Sequence, residues 1–298
     1  MSDILTLDHV YEYNALMGVE TLHPLVSVID FSKCGPMRHA LHNFGFYTVF
    51  LKQVHCGDVR YGRRHYDYQK GTLVCVAPRQ VYGVEDDGTL FQPKGFALCF
   101  HPDLFRGTPL ASRMREYTFF SYEVNEALHL SESERAMVID CLGRIDAELH
   151  HAVDNHTKRL LCASIELLLD YCVRFYERQF ITRSDANGDV LLRFERLLDE
   201  YFRSDLPQTE GIPTVRRFAE KVCLSPNYFG DLVKKETGRT AQEHIRIRLI
   251  DIAKERILDR SRSVAEVAYE LGFKYPQHFS RLFKKTTGCT PNEYRALN

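Results

Sequence analysis

The chain has 298 residues, enough for two domains with separate cores, and its 44% apolar and 27% charged residues are ordinary globular usage that suggests no disorder. The net charge of −1 hides an asymmetry: residues 188–298 hold 20 Lys+Arg against 16 Asp+Glu, a balance of +4, which leaves −5 upstream. The acidic start MSDILTLDHVYEYN lacks a signal peptide's basic and apolar regions, and no window reaches the roughly 18 apolar residues of a membrane helix, so a cytoplasmic protein with no membrane partner is expected. From about 20 to 110, short runs such as LVSVIDF, FYTVFLKQV, TLVCVAP and GFALCF alternate with turn-prone KCGP, HCGD, QKG, EDDG and QPKG, which predicts an antiparallel sandwich or barrel. SESE reads as a capping box, with Ser131 or Ser133 available to the first free amides and Glu134 placed to reach back, and it opens a helix to about His151. A second helix, about 154–180, carries Leu160, Leu161, Ala163, Leu167, Leu168, Tyr171, Cys172 and Phe175, a stripe wide enough to need a partner helix from this chain or a second copy. The segment TRSDANGD, 182–189, reads as a linker between domains at 1–181 and 190–298.

Nine cysteines, at 34, 56, 75, 99, 141, 162, 172, 223 and 289, form no C-x-x-C pair. Neither a disulfide framework nor a zinc ribbon is expected, and most should be small buried side chains.

Beyond the linker the chain repeats itself. FGDLVKKETGRTAQEH (229–244) returns fifty residues later as FSRLFKKTTGCTPNEY, with identities at Phe229/Phe279, Leu232/Leu282, Lys234/Lys284, Lys235/Lys285, Thr237/Thr287, Gly238/Gly288, Thr240/Thr290 and Glu243/Glu293. In the second copy Ala268 precedes Gly272 by four residues, giving a short helix, a turn that needs a left-handed residue, and a second helix begun by Pro276. Phe279, Leu282 and Phe283 at i, i+3, i+4 bury one face of that helix, and Gln277, His278, Ser280, Arg281 and Lys284 occupy the other. In the first copy Ser225 is the N-cap, Pro226 sits at N1, and Cys223 stands where the turn wants glycine, at a cost of about 1 kcal/mol. Each copy ends in K-K-x-T-G-x-T: cations at the helix C-terminus, a glycine to end it, and a threonine to cap the next helix. One helix of about 17 residues, with Ile245, Leu249, Ile252, Ala253 and Ile257 on one face, joins the copies and spans about 25 Å. Successive major grooves on one side of a duplex lie about 34 Å apart, so both readers seat only if the DNA bends or one engages loosely.

The pattern A-x-x-x-G-F, F-S-R-x-F-K-K-x-x-G, T-P-x-x-Y-R over Ala268–Arg295 resembles the C-terminal signature of the AraC/XylS family of bacterial transcription regulators. With the first copy and Arg248, Ala253 and Leu258, the resemblance covers about 100 residues. It implies an α+β two-domain protein: a DNA-binding domain of two helix-turn-helix motifs joined by a linker helix, preceded by a sensing and dimerising domain. Carried over by position, the base-reading face is Asn227, Tyr228, Gly230 and Asp231 in the first copy, of which Gly230 reads nothing, and Pro276, Gln277, Ser280 and Arg281 in the second. Arg281 suits guanine, Gln277 adenine, and Asp231 can only accept, so the second copy is expected to dominate direct readout. Phosphate anchoring falls to Ser225, Arg239, Thr240, Lys274 and Lys284.

The β-rich segment is loosely similar to the family's cupin-like barrel or jelly-roll sensor. GTLVCVAPRQVY (71–82) follows G-x6-P-x3-H with Tyr82 in place of histidine, and His42 keeps one position of H-x-H-x3-E while Phe44 and Thr48 replace other ligands. One imidazole cannot complete a metal site, so no metal, cofactor or catalytic residue is expected, and His39, His42, His55 and His65 read as surface or core groups. The segment can instead enclose a small-molecule pocket lined by His42, Phe44, Tyr47, Phe50, Tyr66, Tyr82 and Phe100.

The resulting expectation is a homodimeric, ligand-responsive transcription activator. Its partners are double-stranded DNA, a small-molecule effector and, by resemblance, RNA polymerase. The competing readings are a cupin enzyme fused to a DNA-binding module and a ligand-independent or architectural DNA binder whose N-terminal half only dimerises.

Overall fold

The computed structural model describes residues 4–52, 58–61, 64–67, 71–122, 126–182 and 184–297. The chain divides into two compact units, Met1–Thr182 and Arg183–Asn298. No described helix is long and apolar enough to cross a membrane.

The first unit begins with a strand and helix that carry no strong sequence signal, β1 (Ile4–Leu7) and α1 (Val10–Met17). Ten more strands follow: β2 (Val26–Asp30), β3 (Met37–Arg38), β4 (Leu41–Phe44), β5 (Tyr47–Lys52), β6 (Asp58–Tyr61), β7 (Arg64–Asp67), β8 (Thr72–Val76), β9 (Val81–Gly83), β10 (Leu90–Phe91) and β11 (Gly95–Phe100). After α2 (Leu110–Arg113) and β12 (Leu128–His129) come two long helices, α3 (Glu132–Leu149) and α4 (Thr157–Thr182).

Among the described residues the strands form two five-stranded sheets, β1-β4-β9-β6-β7 and β12-β8-β5-β11-β2, and a ribbon of β10 with β3. They face each other across a core of Phe44, Phe46 and Tyr82 from one side and Ile29, Phe50, Val74, Val76, Ala97 and Cys99 from the other. Of the two expected forms, sandwich or barrel, the strand pairing of the described residues gives the sandwich and closes no barrel. The reason lies at the edges of the second sheet, where β2 packs on α3 and β12 on α4, so helices cover the ends that further strand pairing would close.

The expected capping box forms, with Ser131 and not Ser133 as its N-cap and Glu134 reaching back. Arg178 of α4 reaches back to the same carboxylate, Nη2 to Oε2 at 2.8 Å, and also donates to the His129 carbonyl at 2.6 Å, which fixes α4 against the start of α3. Arg113 at the end of α2 binds Glu166 and Asp170, and the Tyr117 hydroxyl donates to Asp170 at 2.8 Å.

The second unit is all helix: α5 (Ser184–Arg203), α6 (Leu206–Glu210), α7 (Val215–Lys221), α8 (Pro226–Thr237), α9 (Ala241–Ile257), α10 (Val264–Glu270), α11 (Pro276–Thr287) and α12 (Pro291–Leu297). The segment expected as linker, 182–189, instead contributes residues 184–189 to the first turns of α5. Polar composition misled here, because α5 is anchored by the aromatic residues of its later turns. Phe194, Leu198, Tyr201 and Phe202 are buried, with Phe194 edge-on to Phe218 at 5.2 Å and to Phe229 at 5.1 Å.

Candidate nucleic-acid interface

Each module is built from three short helices around aromatic side chains. In the first, α7 leads to Cys223 at φ +63°, the left-handed conformation its place in the turn demands, and Ser225 then caps α8 by accepting from the Tyr228 amide at 3.2 Å. In the second, α10 leads to Gly272 at φ +91°. Here glycine is required twice: a Cβ would also meet the Gly211 carbonyl carbon at 2.6 Å and the Pro207 oxygen at 2.7 Å. The second turn runs from Gly272 to Tyr275 and the first from Cys223 to Ser225, so the second is one residue longer, and Tyr275 offers α11 no side-chain cap.

The remaining signature residues have local physical tasks. Phe279 packs on Phe273 and Phe283, and Phe283 on Tyr294, with ring centroids 5.3–5.7 Å apart. Arg295 donates to the Ile257 carbonyl at 2.7 Å and the Arg262 carbonyl at 2.8 Å, closing the C-terminal end of α9. Gly238 and Gly288 end α8 and α11 in the left-handed conformation, and Thr240 and Thr290 each pair with a glutamate three residues on. The joining helix α9 has the expected 17 residues and buries Ile245, Leu249, Ile252, Ala253 and Ile257. Two of its cations hold neighbouring helices: Arg248 binds Asp199, while Arg256 reaches the Phe202 carbonyl at 3.0 Å and Glu270 at 3.4 Å.

The solvent faces of α8 and α11 differ. On α11, Gln277, Arg281 and Lys284 are exposed and Ser280 and Pro276 half-buried, while Phe279 and Phe283 lie fully inside. Residues 277, 280, 281 and 284 share one helix face by the i, i+3, i+4, i+7 rule. On α8, Asn227 is exposed and Gly230 and Asp231 are half-buried. Tyr228, expected to read bases, is only 4% exposed, because the residue before Phe229 turns into the first module's core. Ser225, expected on phosphate, is also buried and spends its oxygen on the cap. Thr240, also expected on phosphate, donates both its amide, at 2.7 Å, and its hydroxyl, at 2.8 Å, to the Glu243 carboxylate, which leaves no donor for an anion. Among the described residues, Arg239, Lys274, Arg281 and Lys284 form no ion pair, whereas Arg216, Arg217, Arg248, Arg256 and Arg262 are all paired with carboxylates. Tyr275, which sequence reasoning passed over, is exposed beside His278, ring to ring at 5.5 Å; no spacing rule marks it.

The pocket residues expected in the first unit fall into two groups. His42, Phe44, Phe50 and Tyr82 line one cavity of about 100 Å³ between the sheets, and His42 and Tyr82 are register partners across β4 and β9. Tyr47 and Phe100 do not join them. Side chains alternate along a strand, so Tyr47 and Phe50, three apart on β5, point to opposite faces. Tyr47 stacks on its register partner Phe100 at 5.3 Å and meets Phe120 at 4.8 Å on the helix-covered side. The side chain of Tyr66 on β7, like His65, and all of His55 lie outside the described residues. Burial pushes the His42 imidazole down to about 4, with hydrogen bonds to the Ala40 and Tyr82 backbone opposing this only in part, so His42 is neutral at ordinary pH.

Two helix-turn-helix modules on one shared helix, with an outward polar face on each second helix, define a DNA-binding domain of the double helix-turn-helix class. A family profile described as a helix-turn-helix domain matches residues 218–297. The transcriptional regulatory protein YesN of Bacillus subtilis is 43% identical over 78 residues, covering 26% of this chain and 21% of that protein. The arabinose operon regulatory protein of Escherichia coli is 35% identical over 78 residues, 26% of this chain and 27% of its own length. The HTH-type regulator YijO of Escherichia coli is 30% identical over 142 residues, 48% and 46% respectively. The chain thus spans less than half the length of each of these curated relatives. Among solved structures, the C-terminal domain of the response regulator yesN from Fusobacterium nucleatum is 25% identical, covers 34% of this chain and 93% of its own, and has a TM-score of 0.31. ToxT from Vibrio cholerae covers 91% and 98% at 11% identity and a TM-score of 0.31. The C-terminal unit carries an AraC-type helix-turn-helix domain, and the proteins it matches are transcription regulators.

Proposed function

We propose that the protein is a homodimeric transcription activator that binds two major-groove segments per protomer through α8 and α11 and responds to a small molecule held in its N-terminal sandwich. It acts as a regulator and not a catalyst. The observation that carries the reading is the row Gln277, Ser280, Arg281, Lys284 on a helix whose opposite face is locked into the core, with Arg281 and Lys284 outside any ion pair. With Tyr228 buried and Asp231 able only to accept, α8 contributes mainly to positioning and α11 to sequence readout. Arg239, Lys274 and Lys284 hold the phosphates. Leu160, Leu167 and Ile181, exposed at heptad-compatible spacing on α4, are where the second copy docks, and RNA polymerase is the partner through which activation proceeds.

The test compares two variants on operator and random duplexes. Arg281→Ala should cost about 1–3 kcal/mol on the operator and relax preference at one base pair. Lys284→Ala should weaken all duplexes alike and flatten the salt dependence. Equal losses on both duplexes for both variants would refute the assignment of α11 as reader. Dimer formation unaffected by Leu160→Glu and Leu167→Glu would remove α4 from the interface.

A further inference from the structure

The outer face of the second sheet carries a cavity of its own. Side chains alternate along β2 and β11, so Ile29, Ala97 and Cys99 point into the sandwich, whereas Val26, Val28, Asp30 and Phe96 point the other way, beneath α3. There the sheet, the segment between α1 and β2, and α3 border a cavity of about 360 Å³, within the range of small-molecule sites. Val26, Val28 and Phe96 form an apolar floor. Above it α3 presents Ile139, Leu142, Gly143 and Asp146, which share one helix face at i, i+3, i+4 and i+7.

Two independent features mark this gap as room for an occupant. Gly143 stands in the middle of an 18-residue helix, where glycine is a poorer helix former than alanine, yet a Cβ built on it would meet no atom within 4 Å. No contact inside the protein therefore excludes a side chain at this position, and the space beside it belongs to the cavity. The second feature is charge. Three carboxylates, Glu20, Asp30 and Asp146, line the cavity with Lys33 and His150. Asp30 is already engaged: it accepts from the Ser32 amide at 3.0 Å and hydroxyl at 2.6 Å and lies 3.9 Å from the Lys33 ammonium. His150 Nδ1 lies 2.8 Å from the Asp146 backbone carbonyl and only 3.8 Å from its carboxylate, so the Asp146 oxygens keep room to accept. Glu20 is exposed and forms no ion pair among the described residues.

We propose that this cavity binds a primary ammonium carried on a short apolar body, an arylalkylamine in chemical class. The ammonium sits between Glu20 and Asp146 and donates its N–H groups to their carboxylate oxygens. The hydrocarbon part lies over Val28 and Phe96, in the space that Gly143 leaves free. The site is on the opposite face of the second sheet from the interior of the sandwich, and the inference does not depend on what the sandwich holds.

The experiment titrates the full-length protein by calorimetry with 2-phenylethylamine, neutral 2-phenylethanol, 3-phenylpropionate and 1,5-diaminopentane, and measures Tm and operator retention on the same preparations. The arylalkylamine should bind at least about tenfold more tightly than each of the other three. Glu20→Gln and Asp146→Asn, which keep the size of each side chain, should each weaken it at least about fivefold. Gly143→Leu should abolish binding without lowering Tm, because it fills the gap and favours the helix. Absence of 2-phenylethylamine binding, equal binding of 2-phenylethanol, or undiminished binding in Glu20→Gln and Asp146→Asn would overturn the proposal, as would a Gly143→Leu protein of unchanged Tm that still binds the amine. Tighter binding of 1,5-diaminopentane would overturn the apolar body. Protein that retains operator DNA yet ignores the amine sinks this inference alone, whereas wild-type protein that retains no DNA sinks the regulatory reading and leaves this one standing on its own titration.

Discussion

Gly272 and Cys223 hold corresponding places in the two turns, and they answer differently to substitution. Gly272→Ala places a methyl group against the Gly211 and Pro207 backbone in a conformation already unfavourable for alanine, so a loss of about 2–4 kcal/mol is expected in urea denaturation monitored through the second unit. Cys223→Gly removes strain at φ +63°, where the side chain is exposed, and should raise stability by up to about 1 kcal/mol. His42 makes a prediction about pH. Its folded-state pKa, about 4, lies below the ordinary histidine value near 6.5, so the unfolded chain binds more protons between those limits and stability falls as the pH drops through that window. Between pH 7 and pH 5 the first unit should lose about 2 kcal/mol through this residue, and His42→Gln should abolish that part of the acid sensitivity. At this scale the sequence was most legible where backbone geometry restricts the choice of residue: the glycines at 238, 272 and 288, the prolines at 226 and 276, and the caps at 131, 225 and 240 all stand as their local chemistry dictates. It was least legible at Tyr228, since helical periodicity leaves a residue at the boundary of the apolar stripe free to turn either way.

Among the elements, α5 is the one whose role the sequence concealed. Its opening SDANGD has the composition of a linker, yet the helix supplies Phe194 to the first module's aromatic cluster and Asp199 to Arg248 of α9. Phe194→Ala should therefore destabilise the second unit by about 3–5 kcal/mol, read by denaturation, despite lying 24 residues before the matched helix-turn-helix segment begins at 218. The long helices α3 and α4 were legible because capping boxes and 3.6-residue periodicity are strong over four or more turns. β1 and α1 were not: four residues with one buried side chain, and two turns, leave too little pattern to separate from a loop. The pocket expectation failed for Tyr47 and Phe100 for a different reason. The period of two along β5 already separates Tyr47 from Phe50, but only the register of β11 on β5 puts Phe100 behind Tyr47.

For the whole molecule, the net charge of −1 is a poor guide to how it meets a polyanion. What matters is which cations are neutralised internally. Arg248, Arg256 and Arg262 are consumed in holding helices together, whereas Arg239, Lys274, Arg281 and Lys284, which form no ion pair among the described residues, sit in or beside α8 and α11. Binding should accordingly be steeply salt-sensitive, with a log–log slope of about −4 or steeper per protomer, measured by fluorescence anisotropy across potassium chloride concentrations. A slope near zero would mean that these side chains never approach phosphate.

The double use of α9 constrains the DNA as much as the protein. Because one continuous helix lends side chains to the cores of both modules, the separation of α8 from α11 is not adjustable in the way that a flexible tether between independent fingers would be. On the proposed two-segment reading, a promoter cannot drift freely in the number of base pairs between the segments met by α8 and α11. Each insertion turns one segment by about a tenth of a helical revolution away from its reader, and only matching deformation of the duplex restores contact. Selection on operator spacing should then be sharper than selection on many of the contacted bases.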